Sequence, residues 1–366
     1  MNDRLTVSGS GEHGAFSYDI VWTEDFSDLP VELSVLTEKR PGKICIVSDS
    51  RVAALYLDSI TNVLRESFTL TLPFVFPAGE EQKQLSTVSC LYEHLLQQKM
   101  QRNDILLALG GGVTGDMTGF AAATYRRGIR FVQVPTTLLA QVDSSVGGKT
   151  GVDLDSYKNM VGAFHQPSLV YMNPETLMTL PDDQFSSGMG EVVKTALIRD
   201  AELFAFLENE SEAILKREPA AMNHVIRACC EVKAAVVRED PLDTGIRAIL
   251  NFGHTIGHAV ETCMGLEWLH GRCVGLGCAG AALISKRRQL LTEEENSRIS
   301  SVLSLYGLPL HTEGLTEEEI LNACMADKKV EEGKLKFVLL DGIGNTRIEQ
   351  NMPAQELREA IHELIR

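Results

Sequence analysis

The run LLALGGGVTGDMTGF, residues 106–120, decides how the chain is read. It starts as an apolar strand, turns through three successive glycines and goes on in the small and apolar residues of a helix. Within it Gly110, Gly112 and Gly115 have the spacing G-x-G-x-x-G. Glycines there let the backbone approach a phosphate, and the free N–H groups opening the helix attract the anion. A tight strand-to-helix turn uses the same glycines for packing alone, so the motif leaves both uses open. The acid that usually follows about 20 residues on, to hold a ribose hydroxyl, is missing, since no Asp or Glu stands between Asp116 and Asp143. Asp49, closing an earlier apolar run, can take that role, which makes the expected site a dinucleotide site of non-standard layout.

Around this loop, strands and helices alternate. KICIVSDS (43–50) and RFVQVP (130–135) are short apolar runs ended by turn residues, and STVSCLYEHLLQQKM (86–100) has helical periodicity. AFSYDIVW (15–22) alternates as an edge strand does. Such alternation predicts an α/β domain with a largely parallel sheet, Rossmann-like, over residues 1–180. Beyond Pro181 the texture turns helical, in segments beginning near Ala201, Met222, Ile249 and Thr292, with Asp200, Asn251 and Thr292 as helix caps. KFVLLDGIGNTRIE (336–349) reads as a hairpin around Gly342 and Gly344. Residues 181–366 are therefore expected to form a second, mostly α-helical domain, with a ligand cleft between the two.

Composition bounds the function. A net charge of −16 argues against nucleic acid or an anionic membrane as partner. The longest apolar run, Cys273 to Ile284, is too short to cross a bilayer, and the N-terminal stretch has no apolar core of a signal peptide. Eight scattered cysteines without a C-x-x-C pair fit reduced thiols, hence a cytoplasmic protein. Against the acidic whole, Arg126, Arg127 and Arg130 fall in the acid-free stretch and Lys149, Lys158 and Lys194 follow, a basic island suited to an anionic small ligand.

NFGHTIGHAVE (251–261) places His254 and His258 one helical turn apart on one face, with His270 soon after. Glu191 lies in the apolar stretch GMGEVVKTALI (188–198). A carboxylate among apolar neighbours is costly unless paired or metal-bound, and Glu with two histidines is a common catalytic zinc set. The competing reading pairs Glu191 with Lys194 and leaves the histidines in the core. On spacing alone, His254 and His258 are the ligands.

The segments GGGVTGDMTGF (110–120), RGIRFVQVPTTLLAQVDSSVGGKTGVD (127–153), KNMVGAFHQP (158–167), GMGEVVKTALI, RAILNFGHTIGHAVE (247–261) and LHGRCVGLG (269–277) closely resemble the 3-dehydroquinate synthase family, a branch of the sugar phosphate cyclases. The resemblance runs from Asp49 to the late hairpin. It implies a phosphate-eliminating lyase of the shikimate pathway, in aromatic amino acid biosynthesis. Such an enzyme turns 3-deoxy-D-arabino-heptulosonate 7-phosphate into 3-dehydroquinate with NAD, which is not consumed, and Zn2+ or Co2+. It implies Glu191, His254 and His270 as metal ligands, which overrides the spacing argument and leaves His258 for proton relay. Asp143, Lys149, Lys194, Lys233 and Asn251 would share the catalytic work. Lys149, Asn159, Lys194, Lys233, Arg247, Asn251, His258 and one of Lys328 and Lys329, with Lys328 preferred, would contact substrate, with Arg127 reaching across a homodimer interface to its phosphate. NAD would meet Asp49, Gly79, Glu80, Glu81, Lys83, Gly111, Gly112, Val113, Thr114, Gly115, Asp116, Thr136, Thr137, Lys149, Lys158, Thr176, Leu177 and Thr179. Thr136 and Thr137 serve equally well as a helix cap. Departures from the family's pattern are the lead-in DDQFSSGMGE (182–191) and Asp243, where a glutamate is expected. The rivals are another cyclase, making 2-deoxy-scyllo-inosose or an epi-valiolone, a metal-dependent polyol dehydrogenase, or a non-catalytic NAD-binding regulator. Retention of Lys233, Asn251 and His258 favours dehydroquinate.

Overall fold

The computed structural model describes residues 3–11, 14–36, 42–155, 157–265, 267–326, 330–331 and 334–365. The chain divides into two compact units, Met1–Leu180 and Pro181–Arg366. Among the described residues no helix is long and apolar enough to cross a membrane.

The first unit is built on strands β1 (Asp3–Gly11), β2 (Gly14–Trp22), β3 (Lys43–Asp49), β4 (Thr69–Leu70), β5 (Phe74–Phe76), β6 (Ile105–Gly110), β7 (Arg130–Pro135), β8 (Lys149–Leu154), β9 (Tyr157–Phe164) and β10 (Leu169–Met172). Among the described residues, all but β8 and β9 join one eight-stranded sheet in the order β1-β2-β10-β7-β6-β3-β4, with β5 also on β3. Within that sheet every described pairing is parallel except β1 with β2. The alternating run 15–22 is thus not an edge strand as expected. Residues 3–11 pair with it along their whole length and become the edge themselves.

All six residues of β6 are buried, as a central parallel strand covered on both faces requires. Alternate side chains go to opposite faces. Ile44, Ile46, Ile105, Leu107 and Leu109 pack with Ile60 and Leu64 of helix α2, which follows α1 (Leu29–Val35) and spans Ser50–Leu64. Cys45, Val47 and Leu106 pack on the other side with α3 (Leu85–Gln97) and with Met117 and Phe120 of α4 (Gly112–Thr124). Helices leaving the carboxyl ends of the neighbouring strands β3 and β6 therefore take opposite faces of the sheet. In doubly wound sheets such a divergence at the strand ends is where ligands bind.

The second unit is mostly helical: α5 (Asp182–Arg199), α6 (Ala201–Asn209), α7 (Ser211–Leu215), α8 (Pro219–Glu239), α9 (His254–Met264), α10 (His270–Arg287), α11 (Glu293–Leu305), α12 (Glu317–Ala326) and α13 (Ala354–Leu364). The late hairpin forms as read, with Phe337–Leu340 antiparallel to Thr346–Glu349. Asp200 caps α6, and Thr292 makes a reciprocal capping box with Glu295 on α11. Asn251 does not cap α9. It ends the 3-10 turn Ile246–Asn251, and Gly253, at φ +77°, starts the helix because a left-handed residue is needed there.

Three of these helices touch backbone to backbone. A Cβ on Gly190 of α5 would overlap the carbonyl oxygen of Gly271 in α10, and one on Gly271 would overlap that of Ser187 in α5. Similarly, a Cβ on Gly277 of α10 would overlap the Gly253 carbonyl, and one on Gly257 of α9 would lie 2.8 Å from the Cys273 carbonyl. Glu191 and His270 each follow or precede one of these contacts directly. Gly271→Ala should cost about 3 kcal/mol or more, because a backbone carbonyl cannot step aside as a side chain can. Denaturant unfolding of the variant checks this, and wild-type stability would contradict the packing described.

Candidate active site

In the first unit, α4 opens at the glycine loop with Gly111 as its N-cap residue. Part of the glycine pattern is packing. A Cβ on Gly115 would lie 2.5 Å from Gln133 Oε1 of β7, and one on Gly111 would lie 3.0 Å from Thr137 Cγ2. The loop still offers free N–H groups at a helix N-terminus. Next to it Thr114 and Thr136 are buried with hydroxyls that find no hydrogen-bond partner among the described residues. Thr137 Oγ1 accepts the Ala140 N–H at 3.2 Å, a cap for the turn that carries Asp143. Asp49 ends β3, and its Oδ1 accepts the Arg51 and Val52 N–H groups.

Lys83, 6% exposed, follows the Glu80–Gln82 turn and reaches Asp116 Oδ2 of α4 and Asn159 Oδ1 of β9, both at 2.6 Å. Burial would lower its pKa, but Asp116, Glu80 and Asp153 outweigh that and hold it above the usual lysine range. Asn159 sits in the left-handed region at φ +52°, held there by its N–H on Asp153 Oδ1. Lys158 Nζ is 4.0 Å from Glu80 Oε1. Glu80, Lys83, Asp116, Lys158 and Asn159 thus form one charged group, with Gly79 and Glu81 in the adjoining turn. Thr176, Leu177 and Thr179 lie in the turn Pro174–Thr179. Leu177 is fully buried, and the Thr176 hydroxyl is engaged with Asn173 O and Gln141 Nε2. Lys149 starts β8 and is exposed, as is Arg127, at φ +62° in the turn after α4.

In the second unit Glu191 of α5 is 1% exposed, and its carboxylate is the centre of a cluster. His254 Nε2 lies 3.5 Å and His270 Nε2 3.3 Å from Oε1, and Lys194 Nζ is 2.5 Å from Oε2. Burial pushes the Glu191 pKa up, but Lys194, His254 and His270 together hold it well below the carboxylate range. His270 goes the other way. Burial lowers its pKa, but Glu191 and Glu261 outweigh this and push it up to about 10. A carboxylate facing two imidazoles is thus satisfied by added positive charge, a proton or a divalent cation.

Two histidine sets are available to a cation. Ligand atoms of His254, His258 and His270 lie within 4.8 Å of one another. The alternative set replaces His258 with Glu191. The orientation of the rings favours the second. Nδ1 of His254 is 3.1 Å from the Phe252 carbonyl and Nδ1 of His270 is 3.2 Å from Glu261 Oε2. Both acceptors claim the Nδ1 hydrogen, which turns the two Nε2 atoms onto Glu191 Oε1.

Of the other residues singled out, Lys194 adjoins Glu191 on α5, and Lys233, 7% exposed, is on α8. Arg247, 2% exposed, and Asn251 are on the 3-10 turn. Lys328 lies outside the described residues. Two acids escaped the sequence reading. Glu261 falls seven residues after His254, on the histidine face of α9, and that spacing was its signal. Asp240 accepts the N–H groups of Thr244, Gly245 and Arg247 at 3.0, 2.7 and 3.0 Å and so braces the segment bearing Arg247. No periodicity announces such a loop brace.

The chain matches the family model described as 3-dehydroquinate synthase N-terminal over residues 73–187 and that described as 3-dehydroquinate synthase C-terminal over residues 188–330. The 3-dehydroquinate synthase of Nitrosomonas europaea is 45% identical over 331 residues, 90% of this chain and 90% of that protein. Among solved structures, 2-epi-5-epi-valiolone synthase from Streptomyces hygroscopicus subsp. jinggangensis, with NAD+ and Zn2+ bound, superposes with a TM-score of 0.88 at 29% identity, covering 95% of this chain and 97% of the other. A 2-deoxy-scyllo-inosose synthase complexed with carbaglucose-6-phosphate, NAD+ and Co2+ does so with a TM-score of 0.87 at 27% identity, covering 99% of both. Likeness of this degree across nine-tenths of both sequences, with the two family models matched in their order, means that this chain belongs to the 3-dehydroquinate synthase family.

Proposed function

We propose that the chain converts 3-deoxy-D-arabino-heptulosonate 7-phosphate to 3-dehydroquinate and phosphate, using NAD and a divalent cation, Zn2+ or Co2+. The substrate is oxidised at one hydroxyl, loses phosphate, is reduced again and closes by an intramolecular aldol addition, so no nicotinamide is consumed. The observation that carries this reading is the pair of imidazole Nε2 atoms facing one oxygen of a buried carboxylate, in a chain of this family. When bound, the cation supplies Lewis-acid charge at the hydroxyl being oxidised, and NAD accepts and returns one hydride.

The chain's own residues do the rest. Glu191, His254 and His270 hold the cation. Lys194 keeps Glu191 ionised inside an apolar helix packing. The unpartnered hydroxyls of Thr114 and Thr136 and the first N–H groups of α4 suit a dinucleotide's phosphates and ribose, with Asp49 at the neighbouring strand end and Lys83, Asp116 and Lys158 beside them. Arg247, Lys233, Lys194, Asn251, Lys149 and Asn159 are assigned to the substrate's carboxylate, hydroxyls and phosphate, groups that arginine and lysine bind strongly. His258, whose ring centroid is 5.0 Å from that of His254, is assigned proton movement, as is Asp143. Arg127 points from an exposed turn and is assigned to the phosphate in a partner subunit of a homodimer.

The decisive assay combines purified protein, NAD, Zn2+ and the heptulosonate phosphate. Phosphate release without NADH accumulation is expected. Accumulating NADH identifies a dehydrogenase instead, and turnover only with sedoheptulose 7-phosphate or glucose 6-phosphate identifies another cyclase. His270→Ala should lose the metal and nearly all activity, and retained metal with full activity refutes the ligand set. Because His270 keeps its proton up to about pH 10 without a cation, metal binding must expel it. Zn2+ affinity should therefore rise with pH, by about tenfold per unit around neutrality, and a pH-independent affinity contradicts the site. Arg127→Ala should weaken substrate binding while NAD binding holds, as titration calorimetry can separate; equal weakening of both counts against its phosphate role.

A further inference from the structure

We propose that Glu261 is a positioning residue for the cation site: its carboxylate takes the Nδ1 hydrogen of His270, fixes the tautomer of that ring and aims its Nε2 at the position facing Glu191. The inference rests on the reading that Glu191, His254 and His270 are the ligands.

Glu261 is 3% exposed on α9, and its Oε2 is 3.2 Å from His270 Nδ1 at the start of α10. Burying a carboxylate is costly unless it is matched by a partner that carries or gains positive charge. An imidazole polarised by a cation at its other nitrogen is such a partner. The same device serves His254 in weaker form, since its Nδ1 meets only the neutral Phe252 carbonyl. The difference follows from where the rings sit. The His254 side chain is 11% exposed and is held within the first turn of its own helix. That of His270, likewise the first residue of its helix, is 32% exposed. The more exposed ring has the stronger acceptor. An ionised carboxylate can only accept, so it selects the Nδ1–H tautomer without ambiguity. One helix thus supplies a ligand, His254, and the orienting group for a second.

The test uses the full chain, stripped of metal and titrated with Co2+. Affinity is read by chelator competition, ligand geometry by the visible absorption bands, and folding of the metal-free protein by thermal unfolding. Glu261→Ala should weaken Co2+ binding about 10- to 100-fold and change the visible bands, with the metal-free protein still folded. Glu261→Gln should recover most of that affinity, because its amide oxygen accepts the same hydrogen. Glu261→Asp, whose carboxylate falls one methylene short, should not. Should the alanine variant fail to fold, the glutamine and aspartate variants carry the comparison. His270→Ala is the reference. If it binds Co2+ as the wild type does, the ligand set itself is wrong. If it loses Co2+ while Glu261→Ala binds with wild-type affinity and bands, the ligand set stands and the role of Glu261 is refuted. Equal loss in Glu261→Gln and Glu261→Ala also refutes it.

Discussion

The contact on which the second unit depends is that of helix backbone on helix backbone, between α5 and α10 at Gly190 and Gly271, and between α9 and α10 at Gly257 and Gly277. Ordinary helix pairs stand 8–10 Å apart because side chains keep them there. Removing the side chains at these crossings brings short functional groups within reach of one another. Glu191, His254 and His270 come from three helices and lie close together only because those helices do. The glycines thus shape the cluster through the backbone, by letting its three helices meet.

The electrostatics follow from that proximity. A carboxylate with almost no exposure cannot stand alone in an apolar helix packing. Lys194, one turn along α5, balances one oxygen, and the two imidazoles face the other. The first unit uses opposite charges differently. Lys83 ties the turn after β5 to α4 through Asp116 and to the β8–β9 pair through Asn159. That arrangement fixes the wall beside the glycine loop rather than creating an excess of charge.

Much of this was legible in the residues. The strand–turn–helix at 106–120, the alternating strands and helices before 180 and the helical texture after it are written in local periodicity, and the structure has them. The motif resemblance supplied the family. Local signals failed where pairing partners are distant. Residues 15–22 alternate as an edge strand but are covered by residues 3–11, and Asn251 has the chemistry of a cap while Gly253 has the conformation that the turn needs. The spacing of His254 and His258 is a true helical neighbourhood. What distinguishes the Glu191 set is the direction of the ring nitrogens, which depends on Phe252 and on Glu261 and cannot be read from spacing.

The brace at Asp240 makes the segment from Pro241 to Arg247 a small preformed scaffold. Three main-chain N–H groups close on one carboxylate, and Arg247 follows with its own guanidinium on the Pro241 carbonyl. Burial raises the Asp240 pKa, but these donors outweigh it and hold the carboxyl below its ordinary range. The stabilisation is therefore complete at neutral pH and fades as acidity rises through that lowered value. Because that value lies below the ordinary carboxylate range, the brace that seats the buried Arg247 guanidinium holds through mild acidification and lets go only in strong acid.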